Sequence, residues 1–236
     1  METKTAYQPR VVRGRVELWV PHNGGEIAFA SPSIGPTNYR NAGRLILENG
    51  QKVPTGDYTA SLLHPAYCTN ASNEPEFANV RDITKRNWLW VFNRDLWAEN
   101  GVYVLQDEEA IGRSQPLNVK DLEKMLKNGE DISGIRFSKD GKARFAPKGS
   151  YTLGEHSSEA FAKDGFIIAS CGQEGAEKLG EVSAKFRNKP YISGIEVQEG
   201  QTPEQRVSAV DEGDGRLCFF GSWSYLNVGH AFGVYE

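Results

Sequence analysis

The chain has 236 residues, 39% hydrophobic and 25% charged, with a net charge of −4 and a pI near 5.7. These values suit one large or two small globular domains with a substantial core. They argue against a nucleic-acid backbone as partner, which needs a basic surface, and no apolar run approaches the length of a membrane span. The first ten residues, METKTAYQPR, lack the apolar stretch of a signal peptide, so residence in the cytoplasm is the default expectation, with display by another route left open. Cys68, Cys171 and Cys218 are odd in number and widely spaced, which is neither a disulfide framework nor a zinc pattern. Each reads as a small buried hydrophobe. Asn70-Ala71-Ser72 matches a glycosylation sequon and, with no secretion signal, reads as chance.

In chain order, Gly14, Val16, Leu18 and Val20 alternate with Arg13, Arg15, Glu17 and Trp19, which predicts a half-buried strand over 13–20 ending at Pro21. Asn23-Gly24-Gly25 predicts a hairpin turn into a strand over 26–30. Helices follow over 39–48, stopped by Asn49-Gly50, over 55–63, capped by Thr55 and halted by Pro65, and over 77–86. The runs Trp88-Leu89-Trp90-Val91-Phe92 and Gly101-Val102-Tyr103-Val104-Leu105 are continuous apolar stretches of strand length, predicting central strands around a loop at 93–100.

Residues 114–190 read as a mixed α/β insertion between halves of the main sheet. Asn118 caps a helix over 119–128, with Val119, Leu122, Met125 and Leu126 on one face. A hairpin follows over 135–145 through Lys139-Asp140-Gly141, then a helix over 158–163, a strand over 166–169 and an amphipathic helix marked by Ala176, Leu179, Val182 and Phe186. A strand over 191–197 and a loop at 199–203 return the chain to a C-terminal unit, 206–236.

That unit predicts a strand over 206–210, a turn at Asp211-Glu212-Gly213-Asp214-Gly215, an aromatic, hydroxyl-rich run over 217–228, and a closing strand over 230–235. The run has neither a period of two nor one of 3.6. It reads as a β-rich core with two turns, or as a binding surface in which rigid aromatics supply area and small polar residues adapt their hydrogen bonds.

The Gly-Arg-Leu strand at Gly215-Arg216-Leu217, the triplet Gly221-Ser222-Trp223 and the ending Gly229-His230-Ala231-Phe232-Gly233-Val234 resemble the end of a C-type-lectin fold. More narrowly, they are similar to the variable proteins of diversity-generating retroelements, including archaeal ones. The resemblance covers about the last eighth of the chain. It implies a single α+β domain of C-type-lectin-like fold, in its formylglycine-generating-enzyme-like variant, whose terminal strands pair, so that 13–20 would lie beside 231–235. It also implies a surface rewritten at adenines, mostly in Asn codons. Such codons reach Asp, Ser, Gly, Tyr, Phe, Leu, Val, Cys and His. Asp211, Asp214, Cys218, Phe219, Phe220, Ser222, Ser224, Tyr225, Leu226, Asn227 and Val228 therefore qualify as variable ligand-binding residues. Glu212 and Trp223 do not qualify. Trp223 fits as framework with Gly221 and Gly233, while Glu212 is unexplained. The implied protein is a non-enzymatic monomer with no cofactor or metal, binding an unknown ligand, by expectation a protein.

Residues of catalytic type give little pattern. His22, His64, His156 and His230 lack mutual metal-ligand spacing, and Ser157-Ser158 lack nucleophile-elbow glycines. Gly172-Gln173-Glu174-Gly175 could cradle an anion but lacks a P-loop Lys-Ser/Thr, and reads more simply as a strand-to-helix turn. Asn73-Glu74-Pro75 lacks the Trp-Asn-Asp companion of calcium-dependent sugar binders, and Cys218 alone does not supply the site of formylglycine-generating enzymes. The alternative function is a small-substrate enzyme on a lectin-like or generic α+β scaffold, with its site near His64, His156 or Cys171.

Overall fold

The computed structural model describes residues 9–12, 16–223 and 228–235, and the protein they form is α+β. Arg10–Val12 (β1), Glu17–His22 (β2) and Gly25–Ala30 (β3) form an antiparallel meander. Its Asn23-Gly24 turn holds both residues at positive φ, 48° and 77°, as a two-residue hairpin between right-twisted strands requires. Ile34–Thr37 (β4) leads into Tyr39–Glu48 (α1), where the Asn38 side chain accepts from the Asn41 amide. Gly56–Cys68 (α2) and Pro75–Arg86 (α3) follow. Trp88–Ala98 (β5) turns at Glu99-Asn100 into Gly101–Gln106 (β6).

Next come Val119–Leu126 (α4), Glu130–Ile132 (β7), Ile135–Phe137 (β8), Ala143–Pro147 (β9) and Gly154–Glu155 (β10). Ser158–Ala162 (α5) and Gly165–Ser183 (α6) precede Tyr191–Ser193 (β11). The chain ends with Glu204–Gly213 (β12), Arg216–Trp223 (β13), Gly229–Ala231 (β14) and Val234–Tyr235 (β15).

The large sheet runs β10-β11-β13-β12-β5-β6-β9-β8-β7. β5 is its spine, with β12 along one edge and β6 and β14 sharing the other. Alternation along the strands sorts the buried side chains between the two faces of the sheet. On one face Leu89, Val91, Val210, Leu217 and Phe219 pack with Ala60 and Leu63 of α2, Phe77 of α3, and Phe166 and Leu179 of α6. On the other, Trp90, Phe92, Val207 and Ala209 pack under Tyr39, Ala42 and Ile46 of α1. The segment 114–190 joins the same sheet through β6–β9 pairing, and its α6 lies along α2.

Several expectations are corrected. α2 continues through Pro65, because burying Leu62, Leu63 and Ala66 against the core outweighs a proline cost of about 3 kcal/mol. Residues 93–98 are strand, not loop: Asn93, Arg94 and Asp95 look like loop residues yet are buried, and Asn93 Nδ2 donates to the Ser170 carbonyl (2.9 Å) while Ser208 Oγ donates to Asp95 (2.7 Å). The apolar stretch 166–169 is helix: the Asp164 carboxylate accepts from the Phe166 and Ile167 amides and starts α6 there. Gly172, at φ 69°, therefore kinks one helix into another where a strand-to-helix turn was expected. Asp211, Glu212 and Gly213 belong to β12, and only Asp214-Gly215 turns. The closing strand splits at Phe232-Gly233, and β15 pairs with β3, not with residues 17–20 of β2, whose partner edge β3 already takes. Arg13, Gly14 and Arg15 lie outside the described residues.

Candidate functional site

The terminal hairpin β12–β13 carries an irregularity that decides where its aromatics point. Val207 pairs with Trp223 and Ala209 with Phe220, so β13 holds one residue more than β12 over this interval. A bulge of this kind reverses the side-chain parity beyond it. Phe220 and Trp223, three residues apart, therefore share one face, with ring centroids 5.2 Å apart. Trp223 packs against Trp88 of β5 with ring centroids 4.2 Å apart and planes tilted by 41°, and Trp88 lies 6.3 Å from Trp90. α1 covers Trp90 but stops short of this edge, leaving Trp88, Phe220 and Trp223 half-buried.

Gly221 is at the crossing point. A Cβ there would lie 2.3 Å from Phe166 and 2.8 Å from Trp97, and its carbonyl accepts from the Trp97 indole N–H at 2.6 Å. Only a glycine lets the strand press this close. Ser222 shares a hydroxyl–hydroxyl hydrogen bond of 2.8 Å with Ser193 of β11. Gly233 meets a similar restriction, since a Cβ would lie 2.0 Å from Gln51 Oε1.

Asp211 flanks the aromatics. Burial pushes its carboxyl up to about 6, against hydrogen bonds from Trp88 and Cys218 that pull it down. Asp211 Oδ1 and Trp223 Nε1 are both shielded and have no hydrogen-bond partner among the described residues. Trp88, Asp211 and Glu212 border a hollow of about 290 Å³ whose opposite rim is Thr84, Lys85, Arg86 and Asn87 from the end of α3, and Val228 closes it. Val228 is 55% exposed, and Asp214 sits exposed at the hairpin tip with φ 51°.

The expected variable residues thus divide. Asp214, Phe220, Ser222 and Val228 reach the surface and Asp211 borders it. Phe219 does not: it is 1% exposed and meets Phe166 edge-on at 5.7 Å in the α6-side core. Cys218 lies under the same face as Phe220 but is buried, and burial pushes its thiol up to about 11. Ser224, Tyr225, Leu226 and Asn227 lie outside the described residues.

The groups named for the enzymatic alternative sit in separate surroundings. His156 Nε2 bonds the Thr152 carbonyl (2.8 Å). The buried Cys171 thiol is pushed well up by desolvation and by Asp57, the reverse of what a nucleophile needs. His64 Nε2 is 2.8 Å from Glu181 Oε2.

Sequence reasoning missed a second concavity of about 450 Å³, bordered by His22, Tyr58, Asp57, Gln106, Lys142 and Arg144. In it Arg144 grips Asp57 through two parallel bonds, 2.9 and 2.5 Å, and Gln106 Nε2 donates to the same carboxylate at 2.8 Å. The carboxylate is committed to these donors, as a structural tie between α2 and β9. A lone Asp57 after Gly56 and a lone Arg144 inside a hairpin carry no spacing signal for such a pair.

No helix among the described residues is long and apolar enough to cross a membrane. No family model matches the chain, and no curated protein does. A solved structure described as accommodating massive sequence variation in Nanoarchaeota by the C-type lectin fold is similar over 84% of this chain and 94% of its own, at 13% identity and a TM-score of 0.49.

Proposed function

We propose that this is a non-enzymatic ligand-binding protein of lectin-like design, whose contact surface is the open face of β12–β13 and whose ligand is a protein. The bulge that brings Trp223 onto the face of Phe220 and Trp88 carries the reading. A half-exposed aromatic cluster beside a hollow, with a shielded carboxylate oxygen and an indole N–H that have no partner among the described residues, offers anchors together with directional polar contacts. Trp88 and Trp223 serve as anchors, while Asp214, Phe220, Ser222 and Val228 adapt. Phe219 and Gly221 hold the strand on its core and stay fixed.

Diversification by a retroelement belongs to the same proposal and rests on the terminal motif. Sequencing this gene's 3′ end across many cells of its source population tests it. The expected outcome is adenine-directed substitution in the codons of Asp214, Phe220, Ser222 and Val228, together with those of Ser224 to Asn227. The codons of Phe219, Gly221 and Trp223 should stay constant. Substitutions without base bias, or concentrated outside 211–228, would discard diversification. Binding is tested separately, by selecting a displayed library randomised at Asp214, Phe220, Ser222 and Val228 against defined protein targets. Binders whose affinity disappears with Trp88→Ala support the surface, and binders indifferent to it remove the surface from the reading.

The enzymatic alternative fares poorly on its own residues. Cys171 is buried with its thiol pushed up, and His156 spends one ring nitrogen on a backbone carbonyl.

A further inference from the structure

α2 runs past Pro65 for a further turn, and that turn is what stacks Cys68 over His64, four residues earlier on the same helix face. Had the helix stopped at the proline, the thiol and the imidazole would have no fixed relation. Glu181, on the second half of α6, reaches the same point from the adjoining helix, its Oε2 2.8 Å from His64 Nε2. One donor atom from each residue, an imidazole nitrogen, the Cys68 sulfur and a carboxylate oxygen, lies within 4.8 Å of the other two.

We propose that His64, Cys68 and Glu181 form a binding site for a soft divalent cation of the zinc class, which clips the end of α2 to α6. Tetrahedral zinc, with bonds of about 2.0–2.3 Å, sets its ligand atoms roughly 3.3–3.8 Å apart, so the three donors need only side-chain rotations to close on an ion. A sulfur, a nitrogen and one oxygen select a soft or borderline ion over calcium or magnesium, which take oxygen ligands. His64 and Cys68 are half-buried and Glu181 is well exposed. An ion can therefore enter from solvent on the Glu181 side, where a water completes the fourth position. A hydrogen-bonded His–Glu pair alone would not require a thiol at the same point; a metal site would. The two helices it joins form one of the largest helix–helix contacts of the protein, so the ion would tie together two elements that support the large sheet.

Cobalt(II) is the probe, added to chelator-treated full-length protein. One equivalent is expected to give the visible bands of tetrahedral cobalt and a thiolate-to-cobalt charge-transfer band, both displaced by zinc. Cys68→Ser should remove the charge-transfer band, and His64→Ala should weaken cobalt binding by about tenfold or more. Zinc should raise the melting temperature of the wild type and leave Cys68→Ser unmoved, with calcium and magnesium inert toward both. Circular dichroism of each variant shows whether it has folded. Glu181→Gln, at an exposed position, provides a substitution that leaves packing intact and should also weaken binding. Absence of a charge-transfer band in the wild type, or its persistence in Cys68→Ser, would overturn the site.

Discussion

Asp95 shows how one residue can be misread from sequence and then set a property of the whole. It sits in Asn93-Arg94-Asp95, a triplet that looks like a loop, yet it is fully buried and burial pushes its carboxyl up to about 8, with the Ser208 hydroxyl pulling the other way. A carboxyl with a raised folded pKa holds its proton in the folded state at pH values where the unfolded chain has released it. Stability from this residue is therefore fully present below the ordinary aspartate range and is lost as pH rises through about 8. Asp95→Asn, which keeps size and hydrogen-bonding capacity, should flatten that part of the pH dependence. Urea midpoints compared at about pH 5 and about pH 8 check it: the wild type is expected to lose more stability between them than the variant. An equal loss in both would mean that Asp95 is ionised throughout.

Elements were legible where local chemistry and packing agree. α1 stops at Asn49-Gly50 as its turn residues dictate, and the Asn23-Gly24 hairpin follows from the φ values its residues tolerate. They were misread where a partner element overrules the local signal, as with Pro65 in α2, the 93–98 stretch of β5 and the apolar start of α6. α6 also shows what its motif does. Gly172-Gln173-Glu174-Gly175 is a kink, with Gly172 at φ 69° and its absent Cβ position 3.1 Å from the Asp57 carboxylate that Arg144 grips. Gly172→Ala should cost about 1–3 kcal/mol, since φ 69° with ψ 171° is a backbone region that essentially only glycine adopts. Chemical denaturation measures it; a neutral substitution would mean that the kink relaxes into continuous helix.

For the whole molecule, the division between a fixed core and a tolerant face is the property on which the proposed function depends. A variant carrying Asp214→Ser, Phe220→Ser, Ser222→Tyr and Val228→Asp together should keep its melting temperature within about 4 °C of the wild type, as expected for losses near 1 kcal/mol in a chain of this size. Phe219→Ala alone, one residue from Phe220 in sequence but facing α6, should cost about 3–5 kcal/mol. Thermal unfolding of the two variants compares them directly. A collapse of the four-fold variant would show that the face is part of the core.

The sequence alone determined the α+β class, the first helix and its C-terminal stop, and the hairpins at 23–25 and 135–145, and it singled out the terminal stretch as the candidate surface. Those follow from periodicity, capping and turn chemistry, which act over a few residues. It also gathered the candidate contact residues, but as a continuous run in which Phe219 and Phe220 were equivalent. Tertiary structure separated them, because facing alternates along a strand and a single bulge changes its phase. The same dependence on partners explains the rest: the buried Asp95, the Asp57–Arg144 tie and the meeting of His64, Cys68 and Glu181 join residues 113, 87 and 117 positions apart. Contacts of that span leave no spacing to read; they exist only once the sheet and helices have packed.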